Sequence, residues 1–145
     1  MKYKKLLGVD YGKSRTGLAY SDDLYLTAIG LTMIKSKNIE YTAKLIKEKA
    51  DEIHAEMIVI GKPLNMDGSE GFACENVYKL AEILKTLTDI PIDFIDERRT
   101  TIQAYNIMNE TNTYGKKRKE NIDTLSAEII LQTYMDRYKN LNQRS

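Results

Sequence analysis

Lys4-Lys5-Leu6-Leu7-Gly8-Val9-Asp10-Tyr11-Gly12-Lys13-Ser14-Arg15-Thr16-Gly17-Leu18-Ala19-Tyr20-Ser21 is the stretch on which the fold turns. Lys4 to Asp10 is an apolar run that stops on a carboxylate, which reads as a strand. Tyr11 to Arg15, with Gly12 inside it, reads as a turn, and Thr16 to Ser21 as a second strand. A third extended stretch falls within Leu24 to Ile34. Parallel neighbours need crossovers far longer than these connections, so the three strands form an antiparallel meander.

Downstream the period changes. Ile39, Ala43, Ile46, Ala50 and Ile53 recur in steps of four and three, one face of an amphipathic helix. Met57 to Gly61 is apolar throughout, as in a strand covered on both faces. A polar loop from Lys62 to Gly71 leads to a second helix with Ala73, Val77, Leu80, Leu84 and Leu87 on one face, and Ile92 to Asp96 is a fifth strand. Thr100 to Glu110 reads as a third helix, Thr111 to Asn121 as a loop, and Ile122 to about Leu141 as a last helix with the stripe Ala127, Leu131, Tyr134, Tyr138 and Leu141. The expectation is an α/β fold: a mixed five-stranded sheet, three antiparallel strands plus two parallel ones, flanked by helices.

Composition leaves room for one domain over residues 1–145, with 42% hydrophobic and 30% charged residues, as in soluble globular chains. Apolar runs such as Met57-Ile58-Val59-Ile60 are far too short to span a bilayer, and Leu6-Leu7 is no signal-peptide core, so no membrane partner and a cytoplasmic location are expected. Cys74 is alone, with His54 the only histidine, so neither a disulfide within the chain nor zinc-ligand spacing is available, and Cys74 reads as a small core residue. A net charge of +1 excludes a broad polyanion-coating surface; contact with nucleic acid has to come from local patches.

Three acidic sites stand out by position. Asp10 ends the first strand, Asp96 and Glu97 end the fifth, and Asp123 opens the last helix, four residues before Ala127 on the stripe that faces the sheet. Carboxylates gathered at strand ends repel one another unless cations hold them. Oxygen-only ligands suit Mg²⁺ or Mn²⁺, and two such ions about 4 Å apart can activate a water and stabilise a leaving phosphodiester oxygen. Singly, each has a plainer reading: Asp123 as an N-cap, Asp10 as a turn residue, Asp96 to Arg99 as a solvated charge cluster. Strand alternation puts Asp96 with Ile92 and Phe94 and Glu97 on the other face, although the strand end is not fixed by sequence; Glu97 is the preferred ligand of the two.

Phosphate-binding elements lie nearby. Gly12 and Gly17 let backbone come close to a ligand beside Asp10, while Lys13 and Arg15 can meet phosphate oxygens; a tight hairpin with exposed bases is the alternative. The spacing D-x-G-x(4)-G also occurs in the phosphate loops of two-domain ATPases and sugar kinases, for which this chain is too short. Residues 61–71, with Asn65, lead into a helix start that either docks an anion or is capped by Ser69 and Glu70. Lys116-Lys117-Arg118-Lys119 precedes Asp123 and is either a solvated loop or a backbone-binding patch. The ten tyrosines are scattered, and none is assigned a stacking role.

Taken together, Leu7-Gly8-Val9-Asp10-Tyr11-Gly12-x-x-Arg15-x-Gly17-x-Ala19, the run from Ile60 to Gly71, Asp96-Glu97-Arg98-x-Thr100-Thr101-x-x-Ala104 and Ile122-Asp123-x-x-Ser126-Ala127 resemble the YqgF family, also called RuvX. The motifs occur in family order over nearly the whole chain. Lys62 departs from the small or apolar residue usual there, and Ser126 from the usual alanine. The resemblance implies a ribonuclease H-like fold related to the RuvC resolvase, and nucleolytic processing of the 5′ end of the 16S ribosomal RNA precursor. It implies an acidic set of Asp10, Asp96 or Glu97, and Asp123.

The expected activity is a Mg²⁺- or Mn²⁺-dependent endonuclease acting on structured RNA, with Asp10, Glu97 and Asp123 as metal ligands. Gly12, Lys13, Arg15, Asn65, Arg98, Lys116, Lys117 and Arg118 are the expected substrate contacts, in a monomer or weak homodimer. The rivals are a Holliday junction resolvase acting on branched DNA and a non-catalytic RNA-binding assembly factor.

Overall fold

A computed structural model describes residues 5–22, 27–63, 71–96 and 124–144. Five strands form one sheet: β1 (Leu6–Asp10), β2 (Arg15–Ser21), β3 (Ala28–Lys35), β4 (Met57–Lys62) and β5 (Ile92–Asp96). Their order is β3-β2-β1-β4-β5. The meander is antiparallel, with Val9 opposite Leu18 and Asp10 opposite Gly17, while β4 runs parallel to both β1 and β5. The mixed sheet expected from sequence is the sheet that forms. A register shift between Leu18 and Ala19 marks a bulge in the β2–β3 pair.

Helices α1 (Ile39–Glu52) and α2 (Phe72–Leu87) cover one face; α3 (Leu125–Arg144) covers the other. Asn38 starts α1 by accepting the Tyr41 backbone N–H at 2.9 Å, a cap typically worth about 1 kcal/mol. Ala43, Ile46 and Ala50 of α1 then bury fully with Val77, Leu80 and Leu84 of α2 against Leu7, Val9, Leu18, Ile58 and Ile60. The α2 stripe is rotated from its expected course: Leu87 is 40% exposed, whereas Cys74 and Ala81 are buried. Leu87 is the last residue of the helix, beyond the sheet-facing turns.

The opposite core joins Leu6, Ala19, Val59 and Ile95 to Ala127, Ile130, Leu131 and Met135. Small residues set how closely α3 approaches. Gly8, Ala19 and Gly30 stand side by side across β1, β2 and β3. A Cβ on Gly8 would meet Leu131 Cβ at 2.8 Å and the Ala127 carbonyl at 3.2 Å, and one on Gly30 would meet Thr124 and Glu128. The helix is pinned at both sheet edges. The Ala28 N–H donates to Gln132 Oε1 at 2.9 Å, and the Tyr134 hydroxyl donates to Asp93 Oδ2 at 2.8 Å. Tyr134 also reaches Met57, which pairs with Leu6, so α3 runs from the carboxyl end of β1 back toward its start.

The helix expected over Thr100 to Glu110 and the loop over Thr111 to Asn121 lie outside the described residues, as do Ile122 and Asp123 at the expected start of the last helix. None of the described helices is long and apolar enough to cross a membrane.

Candidate active site at the carboxyl edge of the sheet

From the β1/β4 boundary the chain goes one way to β2 and β3 and the other way to β5. In open α/β sheets such a switch point, at the carboxyl ends of the strands, is where ligands bind. Asp10 is the last residue of β1 at this boundary and is half-buried. Along β1 the side chains alternate: Leu7 and Val9 enter the α1/α2 core, while Leu6 and Gly8 face α3. Asp10 therefore faces the α3 layer, at the end where that helix begins.

Arg15 opens β2 and alternates with Gly17, the partner of Asp10, which places Arg15 on the same face; its side chain is exposed. Gly12 has a backbone reason to be glycine, since a Cβ there would meet the Arg15 carbonyl within the turn. Lys13, exposed, lines a cleft on the other side of the β1–β2 turn, toward α1 and α2.

Asp96 ends β5 opposite Lys62, in the row where Ile92 meets Ile58 and Phe94 meets Ile60. These neighbours pack toward α1 and α2, and Lys62 Nζ lies 3.4 Å from the Tyr78 hydroxyl on α2. Asp96 thus shares an edge with Asp10 but not a face. Tyr78 stacks edge-on against Phe94 and takes the Lys62 ammonium over its ring, which gives the lysine that departs from the family pattern a packed place. Glu97, Arg98, Asn65, Lys116, Lys117, Arg118 and Asp123 lie outside the described residues.

The described part of the site fits a hard divalent cation in kind: Asp10 supplies an anionic oxygen donor at a strand end. No group of three potential metal ligands occurs among the described residues. Thr124, the residue after Asp123, is buried and donates its hydroxyl to Glu128 Oε1 at 3.0 Å. Burial pushes the Glu128 carboxyl above the usual glutamate range, and the Thr124 hydrogen bond pulls in the opposite direction.

Sequence reasoning did not single out Glu128, Lys37, Asn76 or Lys79. The last three join Lys13 around the cleft. Asn76 and Lys79 stand three apart on one helical face, but their meeting with Lys13 and Lys37 depends on how α1 and α2 pack.

The RuvX family model, described as Holliday junction resolvase, matches residues 4–137. A protein of Clostridium acetobutylicum named "Putative pre-16S rRNA nuclease" is 40% identical, covering 91% of this chain and 98% of its own. One of the same name from Ruminiclostridium cellulolyticum is 42% identical, covering 92% and 94%. Among solved structures, Thermus thermophilus RuvC in complex with a Holliday junction substrate superposes with a TM-score of 0.58 at 10% identity, covering 90% of this chain and 93% of that one. That likeness shows the fold, which is ribonuclease H-like.

Proposed function

Because this chain belongs to the RuvX family, the family described as Holliday junction resolvase, we propose that it is a metal-dependent endonuclease that processes the 5′ end of the 16S ribosomal RNA precursor. The observation that carries the chemistry is Asp10, a carboxylate at the switch point of the sheet, facing the layer in which α3 begins. The substrate rests on the relatives, which match over nearly their whole length and bear the pre-16S nuclease name.

Asp10, Glu97 and Asp123 hold Mg²⁺ or Mn²⁺ in this reading. The placement of Asp96 on the α2 side, away from the Asp10 face, favours Glu97 over Asp96 as the second ligand. The burial of Ala127 over Gly8 supports Asp123, which lies four residues earlier in the sequence. When bound, the cation supplies Lewis-acid stabilisation of developing negative charge and lowers the pKa of a coordinated water. Arg15 holds a phosphate oxygen on the Asp10 face, and Lys13 holds the backbone beyond the turn. Gly12 keeps that turn tight. Asn65, Arg98, Lys116, Lys117 and Arg118 add contacts to the strand, and the protein acts as a monomer or weak homodimer.

A second reading has its own support in the family description and in the RuvC fold: resolution of a four-way DNA junction, which needs two sites presented together. The test is cleavage of a pre-16S 5′ leader and of a four-way DNA junction, each with Mg²⁺, with Mn²⁺ and with EDTA. Metal-dependent cutting of the leader and an intact junction are expected. Junction cutting alone would transfer the assignment to the resolvase, and cutting of neither substrate would leave an RNA-binding assembly factor.

A further inference from the structure

The cleft beside the β1–β2 turn has a volume of about 490 Å³ and draws its lining from three separate elements. Lys13 and Ser14 come from the turn, Lys37 from the segment before α1, and Asn76 and Lys79 from α2. Tyr11, the residue after Asp10, lines it as well. Among the described residues the three ammonium groups form no ion pair and no side-chain hydrogen bond, and no described carboxylate lines the cleft. Glu40 and Glu75, in the first turns of α1 and α2, are exposed and stand outside the lining. Like charges gathered round a concavity raise its potential and concentrate anions there. Ser14, Asn76 and Tyr11 add neutral donors that match phosphate oxygens.

The geometry points to a phosphate-backbone subsite in this cleft, in which Lys13, Lys37 and Lys79 hold the nucleic-acid strand that leaves the Asp10 edge. Asp10 and Tyr11 are adjacent in the chain, with Cα atoms about 3.8 Å apart, but Asp10 faces α3 while Tyr11 packs toward α1 and α2. A strand crossing the end of β1 therefore passes from the carboxylate into the basic cleft. This deepens the nuclease reading and rests on it: the cleft positions substrate and takes no part in bond cleavage. The contacts are to backbone, so they carry affinity and not sequence preference.

The test is equilibrium binding of the pre-16S 5′ leader, in EDTA and in an Asp10→Asn background so that nothing is cut, over a range of salt concentrations. For a single strand each backbone-neutralising lysine contributes about 0.7 to the slope of log K against log salt, so Lys37→Gln with Lys79→Gln lowers the slope by about 1.4. Lys37→Arg with Lys79→Arg retains it. The charge-matched pair Lys47→Gln and Lys85→Gln, outside the cleft, also leaves it unchanged. An unchanged slope in the Lys37/Lys79 pair, or an equal fall in the control pair, overturns the subsite. AMP tests for a free-nucleotide source of the same phosphate chemistry: saturable AMP binding lost in the Lys37/Lys79 pair while leader binding is unaffected also overturns it. Because no step here depends on cleavage, loss of the subsite is separable from loss of the nuclease reading, which stands or falls on metal-dependent cutting.

Discussion

Asp10 and Asp96 end strands at the same edge of one sheet and point into different layers, so substitution separates them. Asp96 packs on the α2 side in the Lys62 row, away from the Asp10 face. Sequence parity assigned Asp96 to the side of Ile92 and Phe94, but whether the strand had already ended was a matter of pairing with β4, which no local pattern encodes. Glu128 gives a second prediction at this scale. Its carboxyl is raised by burial, so the folded state binds the proton more tightly than the unfolded chain. The associated stability is fully present below the unfolded value, near 4.5, and is lost as pH rises through the higher folded value. Glu128→Gln keeps an oxygen for the Thr124 hydroxyl and carries no charge. Urea unfolding from pH 4 to 7 should lose this falling component, with the variant equal to or more stable than the parent near neutrality. Greater stability of the parent at pH 7 would contradict it. Nothing local in the sequence marks Glu128 as half-buried; the close seat of α3 over Gly30 shields it.

At the level of elements, that seat is what sets the start of α3 near the carboxyl edge. Gly8→Ala places a methyl against Leu131 and the Ala127 carbonyl, and overpacking of this kind costs roughly 1–3 kcal/mol. For a domain of this size that lowers Tm by about 3–10 °C, measurable by circular dichroism. Because the helix start moves with the clash, cleavage should fall further than the stability loss alone explains. An unaltered Tm would mean that α3 does not rest on Gly8. The helices were legible because apolar residues at three- and four-residue steps must be buried, and Ala43, Ile46, Ala50, Val77, Leu80, Leu84, Ala127 and Leu131 all are. The purpose of the glycines was less legible. Gly12 reads in sequence as an opening for ligand, while the space beside it is taken by the Arg15 carbonyl of its own turn.

For the whole molecule, strand order decides where chemistry can sit. The short connections of the meander forced β1 to β3 into antiparallel neighbours, and the helical crossovers forced β4 and β5 parallel, so the sheet could be read almost complete from pattern alone. Asp10 and Asp96 were legible as acids at strand ends, because those positions are local. The basic cleft was not, because Lys13, Lys37 and Lys79 converge only when α1 and α2 pack on the same face. The most direct test of the whole arrangement is the Mg²⁺-dependent cleavage rate of the pre-16S 5′ leader, compared for the parent, Asp10→Asn, Glu97→Gln and Asp96→Asn. A ligand of a catalytic cation contributes several kcal/mol to the transition state, so Asp10→Asn and Glu97→Gln should each lose more than about 100-fold. Asp96→Asn should stay within about threefold of the parent, as expected for a substitution off the reacting face. Parent-level cleavage by Asp10→Asn would contradict a metal site built on this carboxylate.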